Sequence, residues 1–275
     1  MTRPKNDTAV EGHEEAPNEF LIPRRTALFG LLGTVLTPVS GLLSPALAQG
    51  TLKEAAEIGD FLNSIPDMCR VTTATVEGPY YIDKEIVRAD IREGQRGVPL
   101  ELELRLVNAN ASCRPIAGAL VSIWHCNAEG EYSGYLFNDP NKVPDLTAVN
   151  ELGHVQHRGT ERFLRGAQAT DADGKVTFRT IVPGWYTPRA VHIHVRAFLN
   201  EKTMITTQLY FPQSLINAIQ STQDPYKARG VSIYTNELDV VREQSGISGT
   251  EDLLKVSARG DGSLHATMTL AAGSA

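Results

Sequence analysis

A pair of histidines separated by one residue is the clearest chemical signal in the chain. His192 and His194 fall in a segment rich in apolar and β-branched residues, which predicts a strand. Side chains alternate between the two faces of a strand, so both imidazoles should project to one side and Ile193 to the other. Such a pair can bind a metal ion, but it also occurs as hydrogen-bonded histidines in a half-buried sheet. Taken alone, the pair leaves both interpretations open.

Two further segments bring phenols and a cation to the same region. Tyr186 follows a Pro-Gly turn six residues before His192, and Arg189 adds a permanent positive charge. Tyr132 follows a predicted strand through a polar turn. Free tyrosine titrates near a pKa of about 10, so a phenolate ligand at neutral pH requires a cation acidic enough to displace the proton. Hard anionic oxygens suit ferric iron, whereas zinc sites mostly use Cys, His and carboxylate.

Several other polar residues have more ordinary interpretations. His154 and His157 are expected to be solvated or to brace a loop rather than to form a second metal site. His125 is expected to pack in the core or to donate a hydrogen bond near the site. Tyr135 is a rival to Tyr132 as a ligand, but the turn spacing favours Tyr132.

The elements that must position these residues are mostly strands. Leucines at 100, 102, 104 and 106 alternate with charged residues, which is the period of a strand with one buried face. Further short strands are predicted at 119–126, 175–182, 190–198, 204–211 and 264–270. Because no strand alternates with a long amphipathic helix, a parallel α/β sheet is disfavoured. The fold class is therefore all-β: an antiparallel β-sandwich spanning 73–275, with a short helical arm at 49–72 and long loops at the site.

The long stretch between two of these strands is expected to be functional. Residues 137–170 contain few strand signals and are too many for an ordinary connector.

Composition excludes other classes of function: of 275 residues, 41% are hydrophobic, and the formal net charge is −6. No basic run could neutralise a series of phosphates, so nucleic acid is not an expected partner.

The first residues of the chain have the pattern of an export signal. Arg24-Arg25 precedes an uncharged stretch at 26–52, which contains a small-x-small cleavage pattern ending at Ala48. Residues 1–48 are similar to a twin-arginine translocation signal, which predicts a periplasmic or extracellular protein that has no membrane segment after cleavage; a retained anchor is the alternative. In an oxidising compartment the three cysteines could form one disulfide, and the sequence does not choose the pair.

Five segments, in this order along the chain, resemble the intradiol ring-cleavage dioxygenases of catechols. They are EGPYY at 77–81, WHCNAEGEY at 124–132, FRTIVPGWY at 178–186, RAVHIH at 189–194 and TTQ at 206–208. Together they are far more specific than any single motif. With the predicted signal, the resemblance is to an exported branch of that family.

The resemblance implies a site and a reaction. The cofactor would be a non-haem Fe(III), and the implied ligands are Tyr132, Tyr186, His192 and His194. The substrates would be a small aromatic diol and O2, with the ring cut between its two hydroxylated carbons to give a cis,cis-muconate-type diacid.

The resemblance also implies roles around the iron. Tyr186 would leave the iron and take up a proton when substrate binds, and Arg189 would stabilise negative charge on the ring. Gln208 would lie near the bound oxygens, and the wall of the substrate pocket would include Gly78, Pro79 and Tyr80. The alternative is a metal-free β-sandwich module that binds an aromatic compound or a carbohydrate.

Two departures from the family pattern limit what carries over. Only five residues separate Tyr186 from His192, where better-known members carry a longer insertion, so a more open mouth is expected. No N-terminal dimerisation domain is evident, and a homo-oligomer is neither required nor excluded.

Overall fold

The computed structural model describes residues 70–83 and 86–273. The predicted export signal at 1–48 and most of the predicted helical arm at 49–72 lie outside the described residues, and the domain boundary at residue 73 stays a prediction. Within the described ranges, no helix is long and apolar enough to cross a membrane.

Two β-sheets form the body of the described chain. The strands are β1 Pro99–Asn108, β2 Arg114–Pro115, β3 Leu120–Trp124, β4 Arg165–Ala169, β5 Lys175–Ile181, β6 His192–Leu199, β7 Lys202–Tyr210, β8 Lys255–Ala258 and β9 Leu264–Ala272. One sheet has the order β4-β3-β6-β7, and the other has β2-β1-β9-β8 with β5 also paired to β1. Two helices follow β7, α1 at Gln213–Thr222 and α2 at Val240–Gln244. Short 3-10 helices lie at Ala109–Ala111, Tyr226–Ala228 and Asn236–Leu238.

The alternating leucines of β1 are buried as predicted. Leu100, Leu102, Leu104 and Leu106 are each at most 2% exposed, and they join residues of the other sheet in one hydrophobic cluster. The predicted β-sandwich is therefore confirmed. One pair of strands departs from the antiparallel pattern, because β1 runs parallel to β9. These two strands are distant in sequence, so no hairpin dictates their relative direction.

The structure also contains elements that sequence reasoning missed. Strand β4 lies inside the stretch expected to be poor in strands, and its sequence, RGAQA, shows no apolar alternation. Gly166 permits β4 to approach Ile91 closely, since a Cβ there would lie 2.5 Å from Cγ2 of Ile91. Helix α1 was not predicted, although Leu215, Ile216 and Ile219 line its buried side.

The outer face of the four-stranded sheet carries the polar residues. On β6, Ile193 and Val195 belong to the core between the sheets. Because the pleat alternates, His192 and His194 project to the opposite face. Tyr132, Tyr186 and neighbouring aromatic side chains form a separate buried cluster there together with Trp124 of β3. The period of β6 thus separates the site from the main core.

Candidate metal centre

Strand register fixes which residues surround the histidines. On β7, Tyr210 lies opposite His192 and Gln208 lies opposite His194, so all four share a face. Trp124 of β3 lies opposite His194 on its other side, and its ring stacks on the imidazole with centroids 4.9 Å apart and an interplanar angle of 8°. The sheet therefore supplies a rigid floor, with the two imidazoles at its centre.

The loop after β3 delivers Tyr132. The Asn127 side-chain oxygen accepts hydrogen bonds from the backbone N–H groups of Glu129 and Glu131, at 3.0 and 2.8 Å, which closes a tight polar turn. Gly130 has a φ of +88°, and a Cβ there would lie 2.2 Å from the carbonyl oxygen of Trp185. A glycine is thus required where this loop meets the segment that carries the second tyrosine.

The loop before β6 delivers Tyr186 and Arg189 together. The backbone N–H of Arg189 donates to the carbonyl of Tyr186 at 2.7 Å, and the turn between them contains a cis Thr187–Pro188 bond. The N–H of Gly184 donates to the backbone carbonyl oxygen of Asn127 at 2.9 Å, and a Cβ at Gly184 would lie 2.2 Å from the carbonyl oxygen of Ala128. The two loops are therefore held backbone to backbone.

The structure brings the four predicted ligands together. His192 Nε2 lies 3.0 Å from His194 Nε2. Tyr132 Oη lies 3.2 Å from His194 Nε2. Tyr186 Oη lies 3.4 Å from His192 Nε2. All four side chains are at most 5% exposed, so their donor atoms form one compact, dry group.

Hydrogen bonding orients the imidazoles for a cation. His192 Nδ1 lies 2.7 Å from the carbonyl oxygen of Ala190, which can only accept, so Nδ1 carries the proton and Nε2 of the neutral ring presents a lone pair. His194 Nδ1 has no partner in the described part of the chain, and its polar contacts are made through Nε2. Both Nε2 atoms face the cluster. The hydrogen bond from His192 Nδ1 to a backbone carbonyl is typical of a metal-binding histidine, whereas His194 is held by stacking on Trp124.

Burial sets the protonation states that a cation would meet. It lowers the pKa values of His192 and His194 well below the ordinary value, so both rings are neutral. Burial also raises the pKa of Tyr132 well above its ordinary value and that of Tyr186 to about 12. Within the described residues, no group of three or more His, Cys, Asp or Glu could hold a metal ion. The donor set of two neutral nitrogens and two phenols fits a hard cation acidic enough to displace the phenolic protons.

Arg189 lies beside this group and is held on one edge. Its guanidinium donates to Gln208 Oε1 at 2.5 Å and to Tyr210 Oη at 2.8 Å. It also forms a buried salt bridge with Asp239. Burial acts to lower the pKa of Arg189, but Tyr186, Tyr210 and Asp239 outweigh it and the pKa is raised. The pairing of the adjacent predicted strands could have placed Tyr210 opposite His192, whereas nothing in the sequence pointed to Asp239.

The segment predicted to line the substrate pocket lies directly against the donors. A Cβ at Gly78 would lie 3.0 Å from Cε1 of His194. The Tyr80 ring centroid is 4.8 Å from that of Tyr132, and Tyr80, Tyr132 and Tyr186 line one small cleft. The Pro79 carbonyl accepts a hydrogen bond from the loop at Val155. That Gly78, Pro79 and Tyr80 form a wall of the substrate pocket stays a prediction.

The other histidines and the rival tyrosine lie away from the donor group. His125 bridges the carbonyl of Cys126 and Oγ1 of Thr180, at 2.8 and 2.7 Å. His154 is buried and pairs with Glu77 at 2.7 Å, so it braces a loop and is not solvated.

Tyr135 donates toward the carbonyls of Tyr81 and Val155, at 3.1 Å in each case. Both it and His157 line a separate cavity of about 490 Å³ that none of the four donors lines. Among the cysteines, Cys113 is disulfide-bonded and Cys126 is a free, buried thiol.

Fold and site together define a β-sandwich protein with a centre of two tyrosines and two histidines. A family model described as Dioxygenase matches residues 76–243, more than half of the chain. The chain is 32% identical to an intradiol ring-cleavage dioxygenase of known structure from Tetranychus urticae, with a TM-score of 0.65 over 74% of this chain and 95% of that one. The chain therefore belongs to the intradiol ring-cleavage dioxygenase family, which confirms the resemblance to that family, and the exported branch stays a prediction.

Curated relatives are also dioxygenases by name, and they match this chain over different lengths. Catechol 1,2-dioxygenase 1 of Acinetobacter lwoffii is 32% identical over 120 residues, which are 42% of this chain and 32% of that protein. The protocatechuate 3,4-dioxygenase beta chain of Burkholderia cepacia is 25% identical over 239 residues, covering 80% of this chain and 94% of that one. The match thus spans about a third of the catechol enzyme.

Proposed function

We propose that this protein is an exported, non-haem Fe(III) dioxygenase that cleaves a catechol-type ring between its two hydroxylated carbons and forms a cis,cis-muconate-type diacid. The observation that carries the proposal is the convergence of Tyr132 Oη, Tyr186 Oη and the Nε2 atoms of His192 and His194. Two phenols beside two neutral imidazoles match the needs of ferric iron better than those of zinc.

Tyr132, Tyr186, His192 and His194 would hold the iron, and the chemistry supplied by a bound ferric ion would be activation of the diol ring toward O2. Tyr186 is suited to accept a proton from an incoming diol. With a pKa raised by burial to about 12, its oxygen takes up a proton readily once it is released as a phenolate. Tyr80, Tyr132 and Tyr186 line one small cleft, so aromatic side chains lie beside that oxygen.

Arg189 supplies positive charge in a dry site. The residue is 7% exposed, and its guanidinium contacts Gln208, which lies on the same face as the histidines. Negative charge that develops on the ring would be stabilised there more strongly than in water. The two residues are thus proposed to act on the bound diol rather than on the iron.

Export is proposed from the twin-arginine pattern and the cysteine chemistry. Cys113 is disulfide-bonded, and disulfides persist mainly in oxidising compartments. Arg24→Lys combined with Arg25→Lys should keep the protein in the cytoplasm, whereas the unchanged protein should be recovered outside it on cell fractionation. Equal distribution of the two would contradict this part of the proposal.

The catalytic proposal is tested with iron-loaded protein and a panel of catechols. Phenolate bound to Fe(III) gives a charge-transfer band in the visible, so the protein should be coloured and should consume O2 with catechol. Mass spectrometry should find a product heavier than the substrate by both atoms of O2. A colourless protein that binds the diol unchanged would instead support the metal-free binding module, and zinc by elemental analysis without O2 uptake would indicate a hydrolase.

A further inference from the structure

Asp239 is a fully buried carboxylate outside the donor group, and it contacts Arg189 along one edge. Its Oδ2 accepts from Nε of Arg189 at 2.9 Å, and its Oδ1 accepts from Nη2 at 3.1 Å. The Asp239 side chain is 0% exposed and that of Arg189 is 9% exposed. Two parallel, charge-assisted hydrogen bonds fix the plane of a guanidinium as well as its position.

The backbone around it holds this carboxylate in place. Oδ2 accepts a hydrogen bond from the N–H of Ala190, at 2.9 Å. Oδ1 accepts from the N–H groups of Val241 and Arg242 at the start of α2, at 3.0 and 3.2 Å, and from Tyr210 Oη at 3.0 Å. These contacts lower the pKa of Asp239 although burial alone would raise it, so it remains a carboxylate. The backbone N–H groups of Ala190, Val241 and Arg242 thus fix the position of the carboxylate, while Arg189 is the main group that keeps it ionised.

The pairing leaves one edge of Arg189 free. Nε and one side of Nη2 point to Asp239, and Nη2 also donates to Gln208 and Tyr210. Nη1 has no hydrogen-bond partner among the described residues, so its two N–H groups are those left for a ligand. Gln208 and Tyr210 are neutral and both contact the same nitrogen, so they cannot fix the plane of the guanidinium as a carboxylate on two nitrogens does.

We infer that Asp239 is a positioning residue, which turns Arg189 so that its Nη1 edge faces the bound diol. The inference rests on the proposed function of the site. Asp239 itself does not touch substrate in this arrangement. A guanidinium misplaced by about 1 Å stabilises the reacting ring poorly, and errors of that size cost about 100-fold in rate.

A matched control is available in the same part of the fold. Asp252 forms a buried pair of the same geometry with Arg242, with Nε–Oδ2 at 2.7 Å and Nη2–Oδ1 at 2.9 Å. Asp239→Asn and Asp252→Asn each remove one charge from a buried, two-point pair. Both should lower the urea midpoint of unfolding, but only Asp239→Asn should lower kcat, by about 10- to 100-fold. Iron content and the visible band should be unchanged in both variants.

A double-mutant cycle separates positioning from general damage. If Asp239 acts only through Arg189, Asp239→Asn should cause no further loss of kcat once Arg189 is alanine. An unchanged kcat for Asp239→Asn, or a further loss in the Arg189→Ala background, would overturn the inference. If Asp239→Asn does not fold, Asp239→Glu keeps the charge but displaces the carboxylate, and it should lower kcat in the same way.

A readout without turnover keeps this inference separate from the proposed function. In metal-free protein, the ¹⁵Nε–H resonance of Arg189, assigned by its loss in Arg189→Lys, should exchange slowly with solvent. Asp239→Asn should accelerate that exchange at least 10-fold, whereas Asp252→Asn should not. Absence of ring cleavage in the wild-type protein would refute the proposed function alone. Unchanged exchange in Asp239→Asn would refute the positioning role alone.

Discussion

Replacing Gly78 with alanine tests whether the backbone at this glycine limits the position of His194 in the candidate metal centre. Gly78 has a φ of +82°, and a Cβ there would lie 3.0 Å from Cε1 of His194 and 3.7 Å from its Nε2. The imidazole is stacked against Trp124 with an interplanar angle of 8°. Since the indole packs on one face of the ring, a Cβ this close should shift the imidazole and displace Nε2 relative to the other donors.

The cost has two parts, and Gly118 separates them. A residue with a Cβ in the left-handed region costs about 1–2 kcal/mol. Gly118 has a φ of +73°, and a Cβ there would meet no described atom within 4 Å, so Gly118→Ala carries the backbone cost alone. The contact with His194 is specific to Gly78→Ala. Disturbing groups that orient a ligating histidine lowers metal affinity by about 10- to 100-fold.

The two parts are measured by different assays. Urea unfolding of metal-free protein should show similar destabilisation in Gly78→Ala and Gly118→Ala, on the order of 1 kcal/mol. Competition with a chelator, followed by the visible band, should show weaker iron binding only in Gly78→Ala. Equal iron affinity in the two variants would refute the argument that the Gly78 backbone limits the position of His194.

Three further predictions follow from the same geometry. Tyr132→Phe removes a proposed ligand and should abolish both the visible band and ring cleavage; retention of both would exclude Tyr132 as a ligand. Arg189→Ala should keep the iron and the band but lower turnover at least about 100-fold, and equal loss of iron and turnover would assign it a structural role. Burial lowers the pKa of His125 to about 4. As the pH falls, the unfolded chain therefore binds a proton at this residue before the folded protein does. The free energy of unfolding should then decrease as the pH drops from about 6.5 toward 4. His125→Gln should lose less stability over that range in urea unfolding of metal-free protein, and an identical pH dependence would contradict the assignment.

Local periodicity was enough to predict which faces of single strands are buried or carry the histidines. The alternation in β1 identified its buried face, and the His-x-His spacing in β6 placed both imidazoles on one side. The reversal between β6 and β7 lies at residues common in turns, and Asn200 and Glu201 both have positive φ there, at 50° and 63°. These features depend on neighbours in sequence, which is why the sequence alone revealed them.

The missed features depend on contacts between distant residues. Strand β4 is defined by its pairing with β3 and by the close approach of Gly166 to Ile91, not by its own pattern. Asp239 reaches Arg189 from 50 residues away, after helix α1 and two short 3-10 helices. No rule of spacing connects such positions, so their geometry had to come from the structure.

The division of labour within β6 explains how one strand serves both stability and chemistry. Ile193 and Val195, each 0% exposed, anchor the strand in the core, while the histidines between and beside them face the loops. The loops that meet at Gly130 and Gly184 carry Tyr132 and Tyr186, so these loops, and not the main core, position half of the donors. Enlarging either glycine should loosen the loops and weaken iron binding while the sheets remain intact. Ile193→Ala should instead destabilise the sheets and leave iron binding unchanged. It removes buried apolar volume, at a cost of about 2–5 kcal/mol, without moving a loop that carries a donor.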